Sequence, residues 1–306
     1  MVSSRTTEKI VKAMDELHYQ PSQIARSLVK KRTNTIGVII PNIKNTFFNS
    51  WFRYIEDYAT TLDFNLLLCN TDEDPAKEIR YVKLLQSQRV DGVLIAPCSS
   101  ASVEYLQKCK ANFVIVDRVV ENINAPCVTT DHYRGSFEAT KYLIGLGHKK
   151  IAVLKGAGIL YPDKERYAGF KNAMDEKKIE IEEEFIFNCE FNEKIAYETV
   201  LNIFRKGIEP TAIFAFNSLM AIGAVRALQQ MNISIPKKVS LLSFDEIPGG
   251  EIVKPSITHV MQPIKSLGKN SITLLIDMIQ SSNFVLRSKP IFIKATLVIN
   301  DSCRKI

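Results

Sequence analysis

From residue 35 onward, short apolar runs alternate with stretches in which apolar residues recur every three to four positions. The runs are TIGVIIP (35–41), FNLLLCN (64–70), VDGVLIAP (90–97), FVIVDR (113–118), CVTTDH (127–132) and KKIAVLKG (149–156). They continue with EFIFNCEF (184–191), TAIFAFN (211–217), VSLLSFDE (239–246), ITHVMQP (257–263) and FIKATLVIN (292–300). Short, β-branched and nearly continuous, they have the character of strands covered on both faces of a parallel sheet. The stretches between them predict helices over 46–62, 75–88, 101–111, 133–146, 164–177, 193–206, 218–231 and 264–281. Several end at Gly145, Gly207 or Pro236, residues that stop helices. Nearly a dozen strands are too many for one open sheet. The pattern therefore predicts an α/β fold of two doubly wound parallel-sheet lobes with a cleft between them.

Charge separates the front of the chain from this body. The 306 residues carry a net charge of +7. Residues 1–32 hold seven basic and three acidic side chains, so +4 of it lies in a segment with a predicted helix over about 6–17. Such a local excess suits contact with a polyanion. No apolar run approaches the ~18 residues that span a bilayer, and the N-terminus has no apolar signal region. The six cysteines are scattered without a CxxC pair, as expected in a reducing compartment. A cytoplasmic protein without membrane attachment is predicted. Enzyme signals are missing. GAGILYPDK has no third glycine at dinucleotide spacing, no GxxxxGK[ST] occurs, and His18, His132, His148 and His259 are far apart in sequence. No catalytic residue, cofactor or metal site is predicted.

The candidate chemistry is at the carboxyl ends of the runs, where open α/β sheets bind ligands. Asn45, Phe47 and Phe48 follow Pro41, Asp117-Arg118 end one run and Asp131 ends the next. Arg166 lies in RYAGF, and Phe191, Asn217, Asp245 and Gln262 end later runs. Carboxylates, amides and guanidinium groups interleaved with aromatic rings suit a sugar, whose hydroxyls bond in pairs while a ring covers an apolar face. As cleft residues, Arg166 and Asp245 are expected to be removable without loss of fold.

RTNTIGVIIPNIKNTFF, RVDGVLIAP, VIVDR, RYAGF, FNSLMAIGAVRAL and IPKKVSLLSFDEI with PSITHVMQP resemble, in order, the lactose/galactose-repressor (LacI/GalR) family of bacterial transcription regulators. The body is also similar to periplasmic ribose-type binding proteins. The resemblance implies a repressor whose effector, a neutral or acidic sugar or sugar derivative, binds between the lobes. It matches Asn45, Phe47, Phe48, Asp117, Arg118, Arg166, Phe191, Asn217, Asp245 and Gln262 to effector-contacting positions. Two positions depart from the family: Asn217-Ser218 stands for Asn-Asp, with Ser218 expected to cap the next helix, and Asn45-Thr46-Phe47 stands for Asn-Pro-Phe.

QPSQIARSL resembles the family's hinge helix. That implies operator DNA contacts from Ser22, Gln23, Ala25, Arg26 and Lys30, with Leu28 wedged between base steps in the minor groove and Lys31 and Arg32 near phosphates. A homodimer through the first lobe follows, because paired hinge helices need a two-fold axis. The expected division is 1–32 for the remnant of a helix-turn-helix domain plus hinge, 33–131 with 264–290 for the first lobe, and 132–263 with 291–306 for the second. Since the recognition helix would precede Met1, the sequence is expected to be truncated at its front and to bind DNA weakly. A free-standing sugar receptor and a regulator controlled by a protein co-repressor are the rival readings.

Overall fold

The computed structural model describes residues 4–17, 32–250, 254–281 and 289–306. The helix Ser4–Glu16 stands near the range expected of it. The contacts expected of Ser22, Gln23, Ala25, Arg26, Leu28 and Lys30 lie outside the described residues.

Strands β1 (Thr35–Ile40), β2 (Asn65–Asn70), β3 (Gly92–Ile95), β4 (Phe113–Val116) and β5 (Cys127–Thr130) pair in parallel as one sheet. A second sheet holds β6 (Ile151–Lys155), β7 (Ile186–Asn188), β8 (Ala212–Ala215), β9 (Ser240–Phe244) and β10 (Thr258–Met261). The last strands are divided between the two. β11 (Ile291–Ile293) extends the first sheet beside β5, and β12 (Thr296–Val298) joins β10 of the second in antiparallel fashion. The orders are β11-β5-β4-β3-β1-β2 and β12-β10-β9-β8-β6-β7. Two doubly wound lobes result.

Burial explains the apolar runs. β3, β4, β5 and β8 are buried at every residue, and β1 at all but its first. The edge strand β2 alternates, with Leu67 exposed, because only one of its faces meets the core. The helix Ile264–Gln280 returns to the first lobe, where Leu267, Ile272 and Leu275 join Trp51, Ile55 and the strands, and Trp51 Nε1 donates to Ser271 Oγ at 3.4 Å.

Two expectations are corrected. The third crossing falls at Lys294-Ala295 rather than near 290, so residues 291–293 belong to the first sheet, and the run 292–300 is broken there. A single charged residue, Lys294, is the only mark of the change of sheet, since both halves of the run remain apolar. The helix expected over 164–177 begins at Tyr161, because Pro162 occupies its first turn, where a missing N–H costs nothing.

In the second lobe, adjacent helices cross at glycines. A Cβ on Gly169 would lie 2.2 Å from the Tyr133 carbonyl oxygen, and one on Gly223 2.3 Å from that of Glu193. These obstacles are backbone and cannot swing aside. Gly169→Ala and Gly223→Ala are each expected to lower unfolding free energy by about 2–3 kcal/mol in urea titrations. Gly145→Ala, which meets nothing within 4 Å, should be neutral or slightly stabilising.

Candidate functional site

The carboxyl ends of both sheets face a cavity of about 600 Å³. The lobes contribute to it in parallel ways. Asp117 follows β4 and donates its N–H to the Val128 carbonyl; Asp245 follows β9 and donates to that of Val260, both at 2.9 Å. Both aspartates have left-handed backbone, φ 66° and 75°. Beyond β2, Asp72 and Glu73 are left-handed too, and beyond β7 so are Glu190 and Phe191. Each of these pairs precedes a helix cap, Asp74 in one lobe and Asn192 in the other. All six left-handed residues line the cavity. Non-glycine residues held in this region carry a conformational cost that commonly collects at functional sites.

Ten of the eleven expected effector residues line the cavity: Asn45, Phe47, Phe48, Asp117, Arg118, Arg166, Phe191, Asn217, Asp245 and Gln262. Asp131 does not. Its carboxylate accepts from the Arg134 N–H and caps the helix His132–Gly145. Asn45 and Asn217 are also caps, accepting from the N–H groups of Phe47 and Met220, and Asn217 Nδ2 donates to the Phe191 carbonyl at 3.5 Å. Asn217, not Ser218, therefore caps its helix, while the Ser218 hydroxyl lies 3.5 Å from Thr46 Oγ1 across the cleft. Phe47 and Phe48 meet edge to face at 5.0 Å and belong to the first lobe's core while lining the cavity.

Two buried relays join the lobes beneath this surface. In the first, His132 Nε2 lies 3.1 Å from Asp117 Oδ1, and Arg166 Nε and Nη2 close on His132 Nδ1 at 3.4 and 3.3 Å. Arg166 also donates to the Phe216 carbonyl and stacks 3.7 Å from the Phe244 ring. In the second, Thr130 Oγ1 donates to Gln262 Oε1, and Gln262 Nε2 donates to Asp245 Oδ1, both at 2.6 Å. His132 was not among the residues singled out from the sequence, and neither was Glu73. The Glu73 carboxylate holds Arg118 in a two-pronged pair, Nη1 to Oε2 at 2.7 Å and Nη2 to Oε1 at 2.6 Å. A strand-end carboxylate run, NTDEDP, was the available signal for Glu73; nothing local marks His132.

Burial sets the charge states. Desolvation alone would raise the Asp117 carboxyl, but the His132 hydrogen bond and the Arg166 and Arg118 charges hold it below the usual range. Desolvation raises Asp245 despite Arg166 and the Gln262 amide. Burial and then the Arg166 charge lower His132, outweighing its bond to Asp117. A neutral imidazole thus donates from Nε2 and accepts at Nδ1. Between its folded value and about 6.5, the unfolded chain binds a proton that folded His132 refuses, so stability falls as pH drops through that window. Buried His148 acts in the same direction. Unfolding free energy should decline from pH 7.5 to 5.5, and His132→Gln should remove up to about 1.4 kcal/mol per pH unit of the slope. An unchanged slope would show that His132 binds its proton equally in the folded and unfolded chains.

Arg32, expected near phosphates, donates to the Ile279 carbonyl at 3.0 Å. The Asp91 carboxylate takes the N–H groups of Thr33 and Asn34 at 2.9 and 2.8 Å, fixing the entry to β1. Among the described residues there is no cluster that could hold a metal ion and no helix long and apolar enough to cross a membrane.

Residues 33–298 match the family model described as periplasmic binding proteins and sugar binding domain of LacI family. The chain is 34% identical over 310 residues to the transcriptional repressor PurR of Vibrio parahaemolyticus, covering 100% of this chain and 92% of that protein. To the ribose operon repressor of Halalkalibacterium halodurans it is 35% identical over 279 residues, 91% and 83% of the two chains. A LacI family transcriptional regulator from Enterococcus faecium, solved with bound ribose, superposes with a TM-score of 0.78 at 30% identity, covering 89% of this chain and 99% of the other.

Proposed function

Because this chain belongs to the LacI family of transcriptional regulators, we propose that it is a repressor switched by a sugar or sugar derivative bound between its lobes. The supporting observation is the convergence of the strand ends of both sheets on one cavity. Asp117 and Asp245 each commit one oxygen to a buried relay and leave the other without a bond from any described residue. Those oxygens accept hydroxyl hydrogens, Arg166 supplies donors beside them, and Phe47, Phe48 and Phe191 cover apolar ring faces. A ligand bound this way touches both lobes and therefore favours one lobe spacing over another.

The switch would reach DNA through the first lobe. Asp91 and the Ile279 carbonyl tie residues 32–34 to that lobe, so a change in its position carries the preceding segment with it. Ser22, Gln23, Ala25, Arg26, Leu28 and Lys30 are the proposed operator contacts, made by a cytoplasmic homodimer. Such a regulator should retain duplex DNA through its basic front segment, and a sugar that raises the protein's melting temperature should change that affinity. A DNA affinity indifferent to every stabilising sugar would contradict the proposal.

A further inference from the structure

Glu73 is the second-lobe Phe191's counterpart: both are left-handed, both follow the edge strand of their sheet, and both stand one residue before a helix cap. Where the second lobe presents a ring, the first presents a carboxylate, and that carboxylate closes on Arg118. Arg118 Nη1 spends its two hydrogens on Glu73 and the Pro97 carbonyl oxygen, and Nη2 gives one to Glu73. Its Nε is buried without a hydrogen-bond partner among the described residues. The Nη1–Nη2 fork, the kind of parallel N–H pair with which a guanidinium grips a carboxylate or phosphate, is thus taken by Glu73, and the pair that remains has its Nε buried.

The other cavity guanidinium is similarly committed. The Nε and Nη2 edge of Arg166 closes on His132, and its charge lies between Asp245 and Asp117. At the heart of the site, two guanidinium groups stand against the three carboxylates of Glu73, Asp117 and Asp245. Around the whole cavity six acidic side chains face four basic ones, but two of the six, Asp72 and Glu193, are paired with Lys77 and Arg226 outside it. The excess is therefore at the heart of the site, where an anionic ligand would add a negative charge to three carboxylates held by two guanidinium groups.

We propose that Glu73 is a specificity residue that occupies Arg118 and restricts the cavity to uncharged, hydroxyl-rich effectors, excluding sugar acids and sugar phosphates. This rests on the reading of the cleft as an effector site. It also narrows the sequence-based expectation, which admitted acidic sugars. The pair has a side chain 37% exposed on the Glu73 side, so the carboxylate can be replaced without opening a core.

The test is calorimetric titration of wild type, Glu73→Gln and Glu73→Ala with two sets of probes, ribose, glucose and galactose against ribose 5-phosphate, glucuronate and galacturonate. Thermal unfolding without ligand confirms that the variants fold. Wild type should bind a neutral sugar at least about tenfold more tightly than any charged probe. Both variants free the Arg118 fork and should gain about tenfold or more for a charged probe, with a smaller change for the neutral one. Charged probes that bind wild type as tightly as neutral ones, or variants that gain nothing for them, would overturn the proposal while leaving the cleft reading in place. If no probe of either set binds wild type or variants, the cleft reading fails and the selectivity claim falls with it.

Discussion

Arg166→Ala is expected to abolish effector binding and also to lower unfolding free energy by about 3–5 kcal/mol, because it strips the counter-charge from buried carboxylates. The sequence suggests a cleft residue whose loss the fold would tolerate. The structure corrects that. Arg166 is 4% exposed, donates to the Phe216 carbonyl, bonds His132 and stacks on Phe244. Its removal leaves Asp117 with the Arg118 charge alone and takes from Asp245 the charge that most favours its ionised form. Urea unfolding of wild type, Arg166→Ala and Arg166→Lys separates the contributions. Lysine keeps the charge but not the planar fork, so it should recover part of the stability and little of the binding. A loss below about 1 kcal/mol for alanine would mean that the carboxylates are compensated elsewhere.

Asp245→Asn should have the opposite profile, with binding weakened about 100-fold and stability changed by less than about 1 kcal/mol. The amide keeps the shape and can still meet Gln262, and desolvation already disfavours the carboxylate's charge. What it loses is the acceptor for a ligand hydroxyl beside Arg166. Thr61→Ala is the control, since Thr61 is exposed at the end of the helix Thr46–Thr60 and its hydroxyl donates to the Tyr58 carbonyl of its own helix. It should leave affinity unchanged.

The contrast between these two residues shows where the sequence is informative. Strand ends are visible because β-branched runs stop at them, so Asp117, Asp245 and Gln262 could be placed at the cleft without coordinates. What each side chain then bonds depends on partners distant in sequence. Asp131 ends a run just as Asp117 does, yet it turns back to cap its own helix, whereas Asp117 meets His132. His132 has no sequence mark because its partner Arg166 is thirty-four residues further on. The strands β7, β11 and β12 carry weaker signals, being three residues each and half-covered, and the change of sheet at Lys294-Ala295 is marked only by one charged residue in an otherwise apolar run. Glu73 was hidden for a different reason. An acidic turn before a helix ordinarily caps it, and here Asp74 does so while its left-handed neighbour reaches Arg118.

The central claim is that a small ligand is held between the two lobes by Asp117, Arg166 and Asp245. The most direct measurement is a titration of the most strongly stabilising sugar into wild type and Asp245→Asn, followed by calorimetry. One site per chain in wild type, weakened about 100-fold in the variant while its unliganded melting temperature stays close to wild type, is the result the account predicts. Equal affinity in the two proteins would contradict it and place the ligand outside the cleft.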